Sequence, residues 1–156
     1  MRVLIVEDNE AERVIMNEAF ANFDHACEIS YASDGEEAVR FLRRAPGFEK
    51  APDVDFVLLD LNLPRMNGHE VLAEIKKDPS LKCIPVIILT GTCSPHELLE
   101  CYANGASFCL NKPTGFPEHL ALVKSLIDFV FTKVVFPDAS LRRGGAAAPL
   151  WRTLGA

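Results

Sequence analysis

The sequence predicts an α/β domain, a doubly wound five-stranded parallel sheet with helices on both faces. Two observations predict it. Short apolar runs alternate with segments of helical apolar spacing through most of the chain, and a repeat of that kind packs as parallel strands joined by crossover helices. The second, third and fourth runs are continuously or almost continuously apolar, as central strands covered on both faces should be.

The elements follow in order. Residues 3–6 form the first expected strand, ending in Glu7 and Asp8, and Val14, Ile15 and Ala19 give the next segment one helical stripe. Residues 29–32 are the second strand, followed by a helix carrying Ala38, Phe41 and Leu42. The third strand, 56–59, ends in Asp60, and its helix carries Val71, Leu72 and Ile75. The fourth strand, 86–89, ends in Thr90. The fourth helix has the clearest start signal: Ser94 as N-cap, Pro95 at the first helical position, Glu97 closing a capping box, and Gly105 as the stop. Residues 108–110 form the fifth strand, which leads to Lys112 and Pro113, and the fifth helix begins near Pro117.

Composition narrows the function. The 156 residues are 49% apolar and 24% charged, enough for one core. With 22 acidic against 16 basic side chains the net charge is −6, which disfavours a nucleic-acid footprint. Apolar runs fall well short of the roughly 20 residues of a membrane span. The N-terminus has no secretory h-region. Cys27, Cys83, Cys93, Cys101 and Cys109 are odd in number and form no CxxC pair. They read as reduced thiols, and the protein is expected in the cytoplasm. Three of the basic residues, Arg142, Arg143 and Arg152, lie in residues 139–156 with no acid beside them. An ordered domain is therefore expected over 1–138, with a basic, loosely held tail at 139–156.

In a sheet of this type ligands bind outside the carboxyl ends of the strands. Four of the five strands end in a matching group there: Glu7 and Asp8, Asp60, Thr90, and Lys112. Side by side, they would place three carboxylates, a hydroxyl and an ammonium in one crevice. Two carboxylates about 4 Å apart repel by roughly 4 kcal/mol at an effective dielectric near 20, so the cluster calls for a cation. Oxygen ligands without His or Cys suit Mg²⁺ better than zinc. Taken singly, a Glu-Asp pair after a strand is also an ordinary helix cap. The coincidence of four strand ends argues for a site.

These residues resemble the receiver domain of two-component response regulators. The resemblance covers residues 2 to about 132. It rests on Leu4-Ile5-Val6-Glu7-Asp8-Asn9, on Leu58-Leu59-Asp60-Leu61-Asn62-Leu63-Pro64 with Gly68, on Pro85-Val86-Ile87-Ile88-Leu89-Thr90, and on Gly105-Ala106 followed by Lys112-Pro113. It implies the flavodoxin-like strand order 2-1-3-4-5. It also implies that Asp60 accepts a phosphoryl group from a sensor histidine kinase, while Glu7, Asp8, Asp60 and the backbone carbonyl of Asn62 hold Mg²⁺. Thr90, Gly91, Lys112 and Pro113 would complete the switch, with a cis bond before Pro113. Such a protein is a phosphoacceptor that catalyses its own phosphotransfer and dephosphorylation rather than an enzyme on other substrates. One position departs from the family pattern: Cys109 stands where many members carry an aromatic switch residue, and Phe108 points to the other face.

A narrower resemblance is to the single-domain regulators of bacterial and cyanobacterial phytochromes. It rests on Asp60-Leu61-Asn62-Leu63-Pro64, Ile75-Lys76-Lys77-Asp78-Pro79-Ser80-Leu81, Tyr102 and the extended fifth helix. It implies a phytochrome-like kinase as partner, with the downstream target unspecified.

Two enzyme or cofactor alternatives fail on particular residues. A haloacid dehalogenase-type phosphatase needs a second acid where Asn62 stands, and a flavodoxin needs a phosphate-cradling first loop where Glu7, Asp8 and Glu10 would repel phosphate. A phosphorylation-independent interaction module on the same fold stays open. His25, His69, His96 and His119 read as surface residues.

The fifth helix carries more apolar positions than one buried stripe needs. Leu120, Val123, Ile127, Val130 or Phe131, and Val134 supply that stripe. Leu122, Leu126, Phe129, Val135 and Phe136 are left over, and a homodimer through that surface is expected. The alternative is that the tail folds back over the patch through Leu141, Leu150 or Trp151.

Overall fold

Alternation along each strand divides the core into two layers, and the sheet between them carries the chemistry at one edge. The computed structural model describes residues 1–22, 27–91, 94–136, 142 and 152–153. In chain order the elements are β1 (Arg2–Val6), α1 (Glu10–Ala21), β2 (Glu28–Ala32), α2 (Gly35–Leu42), β3 (Phe56–Leu59), α3 (Gly68–Lys77), β4 (Val86–Thr90), α4 (Pro95–Ala103), β5 (Phe108–Asn111), α5 (Phe116–Lys133), β6 (Val135–Phe136) and β7 (Arg152–Thr153). The five-stranded sheet has the order β2-β1-β3-β4-β5 and every pairing in it is parallel. This is the doubly wound, flavodoxin-like topology expected from the sequence.

Leu4, Val6, Val57, Leu59, Val86 and Ile88 face one side, under Ala38, Phe41 and Leu42 of α2, Val71, Leu72 and Ile75 of α3, and Cys101 of α4. Val3, Ile5, Phe56, Leu58, Ile87 and Leu89 face the other, under Met16, Ala19 and Phe20 of α1 and Val123, Ile127 and Val130 of α5. Both faces of β1, β3 and β4 are covered, which explains their unbroken apolar sequence. Burying each of the Val, Leu, Ile, Phe and Met side chains among them contributes about 1.5–3 kcal/mol.

Local signals explain the helix starts. Asn9, Asp34, Asn67 and Ser94 are the N-caps of α1 to α4, each accepting a backbone N–H with its side chain, and Asn67 and Ser94 complete capping boxes with Glu70 and Glu97. Gly105, at φ 92°, follows α4 in the left-handed region that glycine tolerates.

Four expectations are corrected. β2 is an edge strand, half-buried over most of its length, because Glu28 and Ser30 interrupt its apolar run. In α1 the buried stripe is Met16, Ala19 and Phe20, while Val14 is 53% exposed: the larger Met and Phe side chains set the helix rotation. His119 is buried rather than on the surface, continuing the Val123–Ile127–Val130 stripe one turn earlier, with Nδ1 2.9 Å from the Gly115 carbonyl oxygen. His69 is half-buried, with Nδ1 4.0 Å from Cys101 Sγ. His96 is exposed as expected, and His25 and Cys93 lie outside the described residues.

Beyond α5 the chain becomes extended at Val134 and continues as β6, which pairs antiparallel with β7. This extension carries Phe136 into the core layer under α1 and α5, stacked 6.2 Å from Phe56 at an interplanar angle of 10°. Arg142 donates a hydrogen bond to the Val54 carbonyl at 2.8 Å. Leu141, Leu150 and Trp151, the residues through which the tail was expected to cover α5, lie outside the described residues.

Candidate functional site

Parallel strands end on the same edge, so the residue after each strand is delivered to one place. β1 delivers Glu7, whose amide donates to the Ala32 carbonyl at 3.0 Å, and β3 delivers Asp60, whose amide donates to the Val6 carbonyl at 3.1 Å. Glu7 and Asp60 are buried, at 4% and 7% exposure, while the neighbouring Asp8 faces solvent. One carboxylate oxygen each from Glu7, Asp8 and Asp60 lie within 4.8 Å of one another. The backbone then arms the carboxylates: Glu7 Oε1 accepts from the Asn9 amide at 3.0 Å, and Asp60 Oδ1 accepts from the Asn62 amide at 3.1 Å.

Lys112, from the strand-five end, closes the cluster. Its Nζ donates to Glu7 Oε2 and to Asp60 Oδ2, both at 2.7 Å. A third carboxylate, Glu12 of α1, lies with Oε2 2.7 Å from the same nitrogen. Burial works against the Lys112 charge, yet Asp60, Glu12 and Glu7 together hold its pKa above the ordinary lysine range. Burial pushes the Glu7 carboxyl up from its ordinary value, against the opposing pull of Lys112 and the Asn9 amide. Thr90 ends β4 with 2% exposure, and its carbonyl accepts the Lys112 amide at 2.8 Å, which locks the β4 and β5 ends together.

The loop after β3 fits tightly beneath the site. A Cβ on Gly68 would lie 2.3 Å from the Asp60 carbonyl oxygen and 2.6 Å from Leu61 Cα, and one on Gly35 would lie 2.2 Å from the Met66 carbonyl oxygen. Both are approaches that only glycine allows. Arg65, at φ 65°, forms an ion pair with buried Asp34, the N-cap of α2. Gly91 is exposed and a Cβ there would meet nothing within 4 Å.

The structure therefore brings together Glu7, Asp8, Asp60, Thr90 and Lys112, with the Asn62 amide on Asp60. Lys112–Pro113 is trans, correcting the expected cis bond, since no cis peptide occurs among the described residues. Trans is the lower-energy form of such bonds by about 0.5–1 kcal/mol, and Lys112 reaches its carboxylates from it. Cys109 packs half-buried against the α2–α3–α4 core, its amide donating to the Tyr102 hydroxyl at 3.3 Å. Phe108 lies on the opposite face, 46% exposed and edge-on to Phe129 at 6.2 Å. Glu12 was missed by the sequence reading; an acid in the first turn after Glu7 and Asp8 is the signal that could have found it.

Of the surplus apolar positions, Phe129 and Val135 are 45% and 56% exposed, and Leu122 and Leu126 are half-buried. Phe136 is corrected: it is 5% exposed because it stacks on Phe56, so it belongs to the core and not to an exposed dimer surface. Phe108, Leu110, Leu122, Leu126 and Phe129 line a groove of about 230 Å³.

Three carboxylates offering oxygen alone form a donor set that fits a hard divalent cation. No helix among the described residues is long and apolar enough to cross a membrane. The family model of the response regulator receiver domain matches residues 3–124. The response regulator Rcp1 of Synechocystis is 34% identical over 139 residues, covering 88% of this chain and 93% of Rcp1. The crystal structure of the Mn²⁺-bound form of Rcp1 superposes with a TM-score of 0.82 at 32% identity, over 87% of this chain and 98% of that one. That of the phosphorylated cyanobacterial phytochrome response regulator RcpA superposes with a TM-score of 0.84 at 34% identity, over 88% and 98%. A divalent-metal site at Glu7, Asp8 and Asp60 accords with the Mn²⁺-bound relative.

Proposed function

The chain belongs to the response regulator receiver domain family, and from that premise we propose that Asp60 is the phosphoacceptor and that the cation at the site is Mg²⁺. The protein is a signalling protein. The observation that carries the reading is Lys112 Nζ, held at 2.7 Å from both Asp60 Oδ2 and Glu7 Oε2 inside a buried carboxylate cluster. An ammonium so placed can follow charge from Asp60 onto a group attached to it.

Asp60 attacks the phosphorus of a phosphohistidine on the kinase. A P–O bond forms to the carboxylate, the P–N bond breaks, and the imidazole leaves with the electron pair. Glu7, Asp8, Asp60 and the Asn62 carbonyl would hold Mg²⁺, which would supply positive charge for the phosphoryl oxygens. Lys112 donates to one phosphoryl oxygen and the Thr90 hydroxyl to another, beside Gly91. Phosphorylation turns the Asp60 carboxylate into an acyl phosphate, adding about one negative charge and new acceptor oxygens, which these two donors meet by moving inward. Moving a two-state switch from 1:99 to 99:1 takes about 5.5 kcal/mol of differential stabilisation. Cys109 faces the α2–α3–α4 core and Pro113 follows Lys112 in the chain; with no aromatic residue at 109 the response runs through Thr90 and Lys112. The same site returns the phosphoryl group to water, so the protein catalyses both its phosphotransfer and its dephosphorylation.

The kinase partner is a phytochrome-like sensor histidine kinase in the cytoplasm, by likeness to RcpA. The receiver unit spans 1–138, with 139–156 an accessory basic segment. Two copies pair through the α5 face, where Leu122, Leu126, Phe129 and Val135 form an apolar surface of the kind that marks interfaces.

Incubation with acetyl phosphate and Mg²⁺ tests the central step. The wild-type protein gains one phosphoryl group by intact mass, and Asp60→Asn or chelation of the metal abolishes the gain. A wild-type protein that stays unmodified would favour a phosphorylation-independent module.

A further inference from the structure

We propose that Glu12 is a positioning residue of the phosphoryl switch, which holds the Lys112 ammonium in the resting site and opposes its transfer to the phosphoryl group. This rests on the phosphoacceptor reading of Asp60. Glu12 shares the first turn of α1 with Glu10, where any acid complements the helix dipole. The two differ in direction. Glu10 is exposed, whereas Glu12 turns inward, its Oε2 sealed from solvent and 2.7 Å from Lys112 Nζ. A carboxylate oxygen is withdrawn from water at considerable cost unless a cation meets it. Glu12 is therefore arranged around Lys112.

An ammonium has three N–H donors, and Lys112 faces three carboxylates at 2.7 Å: Glu7, Glu12 and Asp60. When Asp60 is phosphorylated, Lys112 must turn a donor toward a phosphoryl oxygen. Glu7 belongs to the candidate metal cluster, where a cation would hold it. Glu12 lies outside that cluster, so its pull on Lys112 and its repulsion of the incoming anion both act against the phosphorylated state. Removing its charge while keeping its shape should lower the threshold for accepting a phosphoryl group.

The test uses beryllofluoride as the phosphoryl mimic at saturating Mg²⁺, followed by ¹⁹F NMR, in wild type, Glu12→Gln, Glu12→Asp and Glu10→Gln. Glu12→Gln should bind the mimic about three- to tenfold more tightly, as expected for one like charge removed at a partly exposed site. Glu12→Asp, one methylene shorter, should fall between, and Glu10→Gln should match wild type. In metal-free protein the Lys112 ammonium resonance should broaden in Glu12→Gln through faster exchange with water, a change that a helix-dipole role would not produce. Equal or weaker binding by Glu12→Gln, or an equal gain in Glu10→Gln, overturns the role. A loss of metal affinity as large as that of Asp8→Ala would make Glu12 a metal ligand and overturn it too. A wild-type protein that forms no adduct refutes the Asp60 reading itself, and the role of Glu12 falls with it; an adduct of equal affinity in wild type and Glu12→Gln refutes the role of Glu12 alone.

Discussion

Replacing Lys112 by alanine should destabilise the metal-free protein and leave it rescuable by a divalent cation. The lysine lies 2.7 Å from carboxylate oxygens of Glu7, Glu12 and Asp60, and its own side chain is 11% exposed. The Glu7 and Asp60 side chains keep 5% and 7% of their exposure, so water cannot take its place. Deleting one partner of a buried pair costs about 3–5 kcal/mol. Glu12 loses its ion pair too, but its side chain keeps 26% exposure away from the sealed Oε2, so its share is smaller than that of Glu7 or Asp60. We expect a loss of about 3 kcal/mol at pH 7 in chelator, read from the urea midpoint at unchanged slope. Mg²⁺ at a hundred times its dissociation constant should return about 2.7 kcal/mol, since it binds the folded cluster alone. Lys112→Met keeps the aliphatic stem and should lose nearly as much as alanine, because the missing quantity is charge. A loss below about 1 kcal/mol, a methionine variant as stable as wild type, or no recovery with Mg²⁺ would refute the reasoning.

Other perturbations test the remaining parts. Gly68→Ala would press a Cβ to 2.3 Å from the Asp60 carbonyl oxygen, and should cost about 1–3 kcal/mol in denaturant melts while slowing phosphorylation. Leu126→Glu and Phe129→Glu should convert a dimer to a monomer in sedimentation equilibrium; a wild-type protein monomeric at tens of micromolar, phosphorylated or not, contradicts the proposed pairing. Burial pushes the Tyr31 hydroxyl from 10.0 up to about 12. The folded state therefore keeps a proton that the unfolded state has lost, and stability should fall as pH rises from 10.0 toward 12. Tyr31→Phe should remove that part of the decline, and ultraviolet titration should place the phenol midpoint near 12.

Sheet and site edge were legible for one physical reason: strands covered on both faces must be apolar throughout, so the first polar residue after each marks the edge. Glu7, Asp60 and Thr90 stand out on that ground, whereas Lys112 follows Asn111 on β5, a partly exposed edge strand, and is singled out by the match of Lys112-Pro113 to the family pattern. Glu12 did not, because an acid in a first helical turn is ordinary and its inward turn depends on where Lys112 arrives from, 100 residues later. His119 was misread because polarity was taken for exposure; its position in the Val123–Ile127–Val130 stripe carried the better information. Phe136 was read as surface because helical periodicity was extended past the last turn, whereas the chain leaves α5 and stacks the ring on Phe56. The rotation of α1 toward Met16 and Phe20 is a packing choice between two stripes that spacing alone leaves undecided.

The most direct measurement of the central claim is to locate the phosphoryl group chemically. After treatment with acetyl phosphate and Mg²⁺, borohydride reduces an aspartyl phosphate to homoserine, and peptide mass spectrometry finds the altered residue. The account predicts homoserine at position 60 and at no other acid of the cluster. Reduction at Glu7, Asp8 or Glu12, or a stable phosphate elsewhere with Asp60 intact, would contradict it.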